Sequence, residues 1–501
     1  MRWMMAAVLA LSSLGAQAAR LQPDLSGLDA VPLHVVPALV TRKAVEQAQV
    51  LKGTGPYIFA ATVALVVPLT GGAWDRPDPG TARWRTRIFS AQAKALALEI
   101  TSLHMPRGGE LWIYDADGKR VQGPYTRANQ NAEKLMWTAL VPGEIAVLDA
   151  RMPAARRGEF ALELAHVGHA FRDPYSAAKV GLGDSGSCNF DVVCPVGDDW
   201  SSESRSVARL QIPVPGGLGF CSGTLVNNVQ QDNRNFILTA DHCEIGRAGS
   251  PAAGVVVYWN FQNSVCRGAD DASEADAQSG TLLRANDQRT DLTLLELVTA
   301  PDPAFNVFYA GWDASGAGAT SATGIHHPQG DAKKISTTSV SLVPQFFGFS
   351  SFEPATIPAW KVTRWGVGTT EPGSSGSSLW NQDHRIVGAL SGGEAACASA
   401  SDDNNLPDFY ARMHCQWEAN SAASGQLKAW LDPANTGVRC ITGRNPSGSS
   451  TVCAPATATP ASCFVPTATQ QVTSPGGGAL PAAALGLLLL SSLLRRRRES
   501  P

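Results

Sequence analysis

From about Trp84 to Ala170 the chain is built of short, mainly apolar strand-like pieces, among them Ala95 to Ile100, Leu111 to Tyr114 and Ile145 to Leu148. Short apolar runs bounded by turn residues read as strands. Turn residues divide the runs at Pro106-Arg107-Gly108-Gly109, Asp115-Ala116-Asp117-Gly118, Gly123-Pro124 and Pro142-Gly143. The pattern predicts a small all-β sandwich. From Gly183 to about Cys440 the chain changes to short, glycine-rich strands, with little helical periodicity until Gly425 to Leu431. Beyond Gly443 a Ser/Thr/Pro/Ala-rich stretch reaching Pro475 holds too little apolar surface to fold and reads as a linker or stalk.

The two ends carry addresses. Met1 to Ala18 has a positive start at Arg2, an apolar run from Met4 to Leu14 and a small-residue cleavage site at Ala16-Gln17-Ala18, as a signal peptide does. At the other end Gly476-Gly477-Gly478 precedes an apolar run from Ala479 to Leu494 and then Arg495 to Arg498. That run is short for a bilayer span, which needs roughly 20 residues. It resembles bacterial GlyGly-type C-terminal sorting tails, so membrane contact is expected only through this tail, and the product is expected to be secreted or held at the cell surface. At 501 residues the chain is too long for one core. The expected divisions are a signal peptide (1–18), a propeptide with the β-sandwich (19–180), a main domain (181–440), a linker (441–475) and the tail (476–501). Net charge is −3, with no basic block before the last residues, so no nucleic-acid partner is expected. The ten cysteines, at 188, 194, 221, 243, 266, 397, 415, 440, 453 and 463, are even in number and contain no CxxC pair, which in an exported chain favours disulfides. Cys453 and Cys463 are read as closing a small loop in the stalk.

Three motifs in the main domain carry chemistry. In Phe236-Ile237-Leu238-Thr239-Ala240-Asp241-His242-Cys243 an apolar strand runs into a turn that presents a histidine, and Cys243 can be tied to Cys221 on a neighbouring strand, fixing the loop. Histidine, with an ordinary pKa near 6.5, takes and returns a proton at neutral pH. In Thr290-Asp291-Leu292-Thr293-Leu294-Leu295 an acid heads an apolar strand, where a buried carboxylate needs a partner; His242 is the natural one. In Glu371-Pro372-Gly373-Ser374-Ser375-Gly376-Ser377 a serine sits in a tight turn whose Gly373 and Ser375 amides can converge on one point, where an oxyanion would form. Each motif alone is weak; their conjunction in this order is not.

At this point the chain resembles the chymotrypsin family and, within it, the bacterial lysyl endopeptidases. The closer match rests on Ser187-Cys188-Asn189, Asp191-Val192-Val193-Cys194-Pro195, Val256-Val257-Tyr258-Trp259-Asn260, Ala310-Gly311-Trp312-Asp313, Ile325-His326-His327-Pro328 and Trp430-Leu431-Asp432-Pro433, within roughly Gly183 to Thr436. The resemblance implies an all-β protein of two six-stranded antiparallel barrels with the active site between them. It also implies a triad of His242, Asp291 and Ser375, and disulfides Cys188 to Cys397, Cys194 to Cys266 and Cys221 to Cys243. Cys415 and Cys440 stand outside that set and are candidates to pair with each other. The substrates expected are proteins or peptides with lysine or arginine at the cleaved position, with the chain's own propeptide as inhibitor and folding aid.

The acid that many relatives carry six residues before the nucleophile is here Thr369, and the resemblance to the lysyl endopeptidases implies that specificity comes instead from Asp408 in Asp408-Phe409-Tyr410-Ala411-Arg412. Ser391, Gly392 and Gly393 would line the same pocket. The family segment Leu-His-Gly-Gly becomes Leu390-Ser391-Gly392-Gly393, and the tryptophan that stacks on that histidine is replaced within Phe346 to Phe349, so arginine is expected to be tolerated beside lysine. Chymotrypsin's aspartate for a freed N-terminus is here Ser374, so activation would work by unblocking, after a cut at Lys179-Val180 or Arg172-Asp173. His326 and His327, adjacent on a strand, would point to opposite faces; no metal or other cofactor is expected. Two rivals stay open at this level: a dead protease fold that binds at the cell surface, and a protease whose Asp408 turns away from its pocket.

Overall fold

The computed structural model describes residues 21–37, 55–129, 135–173, 185–349, 356–397, 406–453 and 460–464. The expected signal peptide, the candidate cut at Lys179-Val180 and the expected sorting tail lie outside them, whereas Arg172-Asp173 lies within. The described chain is mostly β.

The first unit is two packed sheets. One orders Thr81–Phe89, Ile145–Pro153, Glu110–Asp115 and Val121–Tyr125, with Leu33–Val35 in parallel on Thr81–Phe89. The other contains Tyr57–Val67, Ala161–Ala170 and Ala95–His104. Leu96, Leu98 and Ile100 alternate inward from one sheet and meet Trp84, Ile88, Leu111, Ile113 and Leu148 from the other. Gly123-Pro124, expected as a turn, instead lies inside Val121–Tyr125; that strand is the sheet edge, where a residue without an N–H is tolerated. The sandwich also begins earlier than its sequence pattern suggests. Tyr57–Val67 pairs on one side with Ala161–Ala170 and on the other with Gly217–Phe220, so the sheet runs on into the following unit. Phe59 stacks on Phe220 with ring centroids 3.9 Å apart, Gln211 Nε2 donates to the Thr138 carbonyl at 3.1 Å, and the Leu140 N–H donates to the Tyr258 hydroxyl at 2.9 Å.

In the main domain the first group of strands pairs in the sequence 256–258, 207–214, 217–226, 236–239, 292–297 and 281–287. Ala277–Ser279 returns to Val256–Tyr258, and Gly280 joins it to Thr281–Asp287 with φ +96°, so the strand bends round and the sheet curls into a barrel-like form. Its inside holds Leu210, Ile212, Leu225, Ile237, Val257, Trp259 and Leu295. The second group orders 190–191, 334–338, 322–326, 378–381, 386–393, 408–412, 357–362 and 343–347 around Trp360, Trp365, Leu379, Leu390 and Tyr410. Residues 441–453, expected as the start of a stalk, are folded onto the domain. Cys440–Ile441 pairs with Trp312–Asp313, Arg444 bridges Tyr309, and Asn227 Nδ2 donates to Ser450 Oγ at 2.6 Å.

Candidate active site

His242 closes a short 3-10 turn, Asp241–Cys243, at the end of Phe236–Thr239, and the Cys221–Cys243 disulfide holds that turn to the adjacent strand. Asp291 stands at the head of Leu292–Leu297 with φ +49°, a left-handed conformation that aspartate tolerates better than most residues. The strain is offset by its hydrogen bonds. Oδ1 accepts the backbone N–H of His242 at 2.9 Å, and Oδ1 and Oδ2 lie 3.1 and 3.0 Å from Nδ1. Both side chains are buried. A carboxylate so placed fixes the proton on Nδ1 and leaves Nε2 as the acceptor.

Ser375 lies on a turn beside the other group of strands that packs against the strand bearing Cys221 and the strand that leads into His242. Its carbonyl accepts the Ser222 N–H at 2.8 Å, one residue from Cys221, and the Ser222 hydroxyl donates to the Gly373 carbonyl at 3.0 Å. Gly376 passes so close that a Cβ would lie 2.1 Å from Thr239 Oγ1, on the histidine strand. His242 Nε2 and Ser375 Oγ are both buried, and neither has a hydrogen-bond partner among the described residues. The Gly373 and Ser375 N–H groups likewise have no acceptor among the described residues. A base, a hydroxyl and two donors for an oxyanion are the groups that acyl transfer requires.

Asp408 lies at the start of Asp408–Arg412, fully buried, paired in register with Gly393. Its Oδ2 accepts from Trp365 Nε1 at 2.7 Å and from Thr370 Oγ1 at 2.8 Å. A Cβ at Gly393 would come within 2.4 Å of Oδ1, so glycine is what leaves the carboxylate room. Burial, and after it the Asp408 charge, pushes the neighbouring Tyr410 hydroxyl well above its usual range. Gly392 pairs with Phe409 on the same two strands, and Ser391 is buried with its hydroxyl unbonded among the described residues.

A family model described as the lysyl endopeptidase C-terminal domain matches residues 182–411. A lysyl endopeptidase of Pseudomonas aeruginosa is 30% identical over 372 residues, which cover 68% of this chain and 75% of that protein. The chain belongs to the lysyl endopeptidase family. It is a trypsin-like serine endopeptidase. Solved structures similar to this family member include a protease from M. tuberculosis in its active form (15% identity, 47% of this chain and 84% of that one, TM-score 0.30). A thermostable serine protease from an extremophilic microorganism is another (12% identity, 42% and 92%, TM-score 0.31). At such TM-scores these likenesses add nothing to the assignment.

Cysteine pairing in this lysyl endopeptidase relative joins Cys188 to Cys397, Cys194 to Cys266 and Cys221 to Cys243. The last four depart from expectation. Cys415 pairs with Cys463 and Cys440 with Cys453, because the segment after Cys440 folds back on the domain instead of leaving it. Two further features escaped the sequence reading. Phe349 sits beside His242, ring centroids 5.3 Å apart, and Phe347 stacks on Phe409 at 4.9 Å, so the phenylalanine stretch joins the base to the pocket strand. His326 is a hydrogen-bond partner of the nearby turn, its Nδ1 2.8 Å from Ser374 Oγ. His327 Nδ1 lies 2.9 Å from the Asp331 carbonyl.

Proposed function

We propose that this chain is an exported endopeptidase that hydrolyses peptide bonds after lysine and, with less selectivity than its relatives, after arginine. Ser375 attacks the scissile carbonyl and His242 takes its proton, then returns it to the leaving amine. Asp291 orients the imidazole, and the Gly373 and Ser375 amides receive the oxyanion. The observation that carries the basic preference is the buried Asp408 carboxylate, held by the neutral donors Trp365 and Thr370 beneath Gly393. A substrate ammonium or guanidinium entering beside Gly393 would make a charge-assisted hydrogen bond with this carboxylate. Ser391, Gly392 and Gly393 form the pocket wall, and the lack of a histidine at Ser391 leaves the entrance open to arginine.

In the same reading the barrel-like sheets are two six-stranded barrels. Residues 19–180 are a propeptide that aids folding and covers the cleft, and the C-terminal tail from residue 476 directs the product to the cell surface. The deciding experiment is cleavage of a peptide library by the mature protein. Wild type should cut after lysine and arginine, Ser375→Ala should not cut at all, and Asp408→Ala should lose the basic preference while Ser375 still reacts with a fluorophosphonate. A wild-type protein that cuts with no basic preference would overturn the role given to Asp408.

A further inference from the structure

Glu371 opens the turn that ends in Ser375, and its side chain is buried. Oε2 accepts the Gly186 N–H at 3.0 Å and Asn189 Nδ2 at 2.9 Å, while Oε1 accepts Gln329 Nε2 at 3.4 Å. Two of these donors come from the beginning of the main domain. That segment is held from the other side by the Cys188–Cys397 disulfide. It passes so close that a Cβ on Gly186 would lie 2.4 Å from Cys397 Cβ and 3.2 Å from Glu371 Oε1.

The same turn is fastened at two more points. The Pro372 carbonyl accepts the Gln329 N–H at 2.5 Å. Ser374 Oγ accepts the Glu371 N–H at 3.2 Å and lies 2.8 Å from His326 Nδ1, and His326 Nε2 lies 3.0 Å from Ser336 Oγ. The two N–H groups of the turn that remain without an acceptor among the described residues are those of Gly373 and Ser375.

We infer that Glu371 is a positioning residue for the oxyanion amides: its carboxylate clamps segment 186–189 to the turn and thereby aims the Gly373 and Ser375 N–H groups. The inference rests on the serine-protease chemistry proposed above. It assigns to a carboxylate at 371, with amide donors, the task for which Ser374 offers no charge. The start of the main domain and the oxyanion turn are therefore one mechanical piece. Because the clamp acts on groups that bind the oxyanion more strongly than the ground-state carbonyl, its loss lowers kcat and leaves KM almost unchanged.

The test uses the full chain after maturation, with a lysine ester as substrate. Glu371→Gln keeps the volume but can no longer accept all three donors; kcat should fall about 10- to 100-fold with KM within about twofold. The rate of fluorophosphonate labelling should fall in parallel. Asn189→Ala should give a smaller loss of the same kind, and the double variant should be no slower than Glu371→Gln alone. Should Glu371→Gln fail to fold, Asn189→Ala decides by the same criteria. A kcat within twofold of wild type in the folded variants, or a loss carried wholly by KM, overturns the clamp while leaving the protease chemistry standing. A wild-type protein that neither cleaves nor labels overturns that chemistry and the clamp with it.

Discussion

The indole and hydroxyl donors on Asp408 make a prediction that the carboxylate alone does not. Trp365→Phe and Thr370→Val each remove one charge-assisted hydrogen bond, typically worth about 1.5 to 3 kcal/mol. In each variant the carboxylate should lose its fixed direction, so kcat/KM on lysine peptides should fall about 10- to 100-fold with the selectivity between lysine and arginine flattened. Steady-state kinetics on paired lysine and arginine substrates checks this. Asp291→Asn would put a donor where His242 needs an acceptor, and kcat should drop by about 10⁴-fold with the fold retained. At this scale the pairing of His242 with Asp291 was legible, and Ser375 and Asp408 could be picked out as candidates, because each sits in a short motif whose residue types have few other uses together. Trp365 was not. A buried acid must find donors, but nothing in the sequence says that a tryptophan 43 residues upstream supplies one.

Among the elements, Gly217–Val226 carries the most relations. It pairs with Val207–Val214, Phe236–Thr239 and Tyr57–Val67, and it bears Cys221 and the Ser222 contacts to the turn that holds Ser375. Every residue of it is buried, so no alternation marks it in the sequence. In the N-terminal sandwich Ala161–Ala170 by contrast opens with exposed and buried residues in alternation, whereas Glu110–Asp115 is buried along all but its ends. Replacing Cys221 and Cys243 by alanine should cost about 2 to 4 kcal/mol of stability, read from denaturant melts. Gly376→Ala should abolish activity, since the added Cβ meets Thr239 Oγ1 at 2.1 Å and the Ser222 carbonyl at 2.7 Å while the backbone keeps φ +79°. Labelling with a fluorophosphonate would report it. The last two disulfides were illegible for a different reason: pairing follows proximity in space, and the return of residues 441–453 onto the domain depends on Tyr309 and Asn227, far away in the chain.

At the scale of the whole molecule, Lys333 is fully buried, with Nζ donating to the Ser204 carbonyl at 2.6 Å. Burial alone pushes its pKa down to about 7. Below that pH the folded protein must hold the ammonium, and the full cost is present. Between about 7 and the ordinary lysine value the unfolded chain holds a proton that the folded one has released, so this group's contribution makes stability rise with pH. Lys333→Met should therefore gain more stability over wild type at pH 6 than at pH 10, by on the order of several kcal/mol. Parallel urea melts at the two values check it, and an equal gain at both would remove the titration from the account.

The strand pairing that joins the N-terminal sandwich to Gly217–Phe220 would have a further outcome under the proposed maturation, in which the chain is cut between the two units and the first departs. Four residues of backbone, and the Phe220 ring that Phe59 had covered, would be laid bare beside the catalytic half. Two of those four are glycines, which grip an incoming chain poorly. The newly opened seam would thus be a poor template for sticking one enzyme to the next, and a protease released in quantity could stay dispersed.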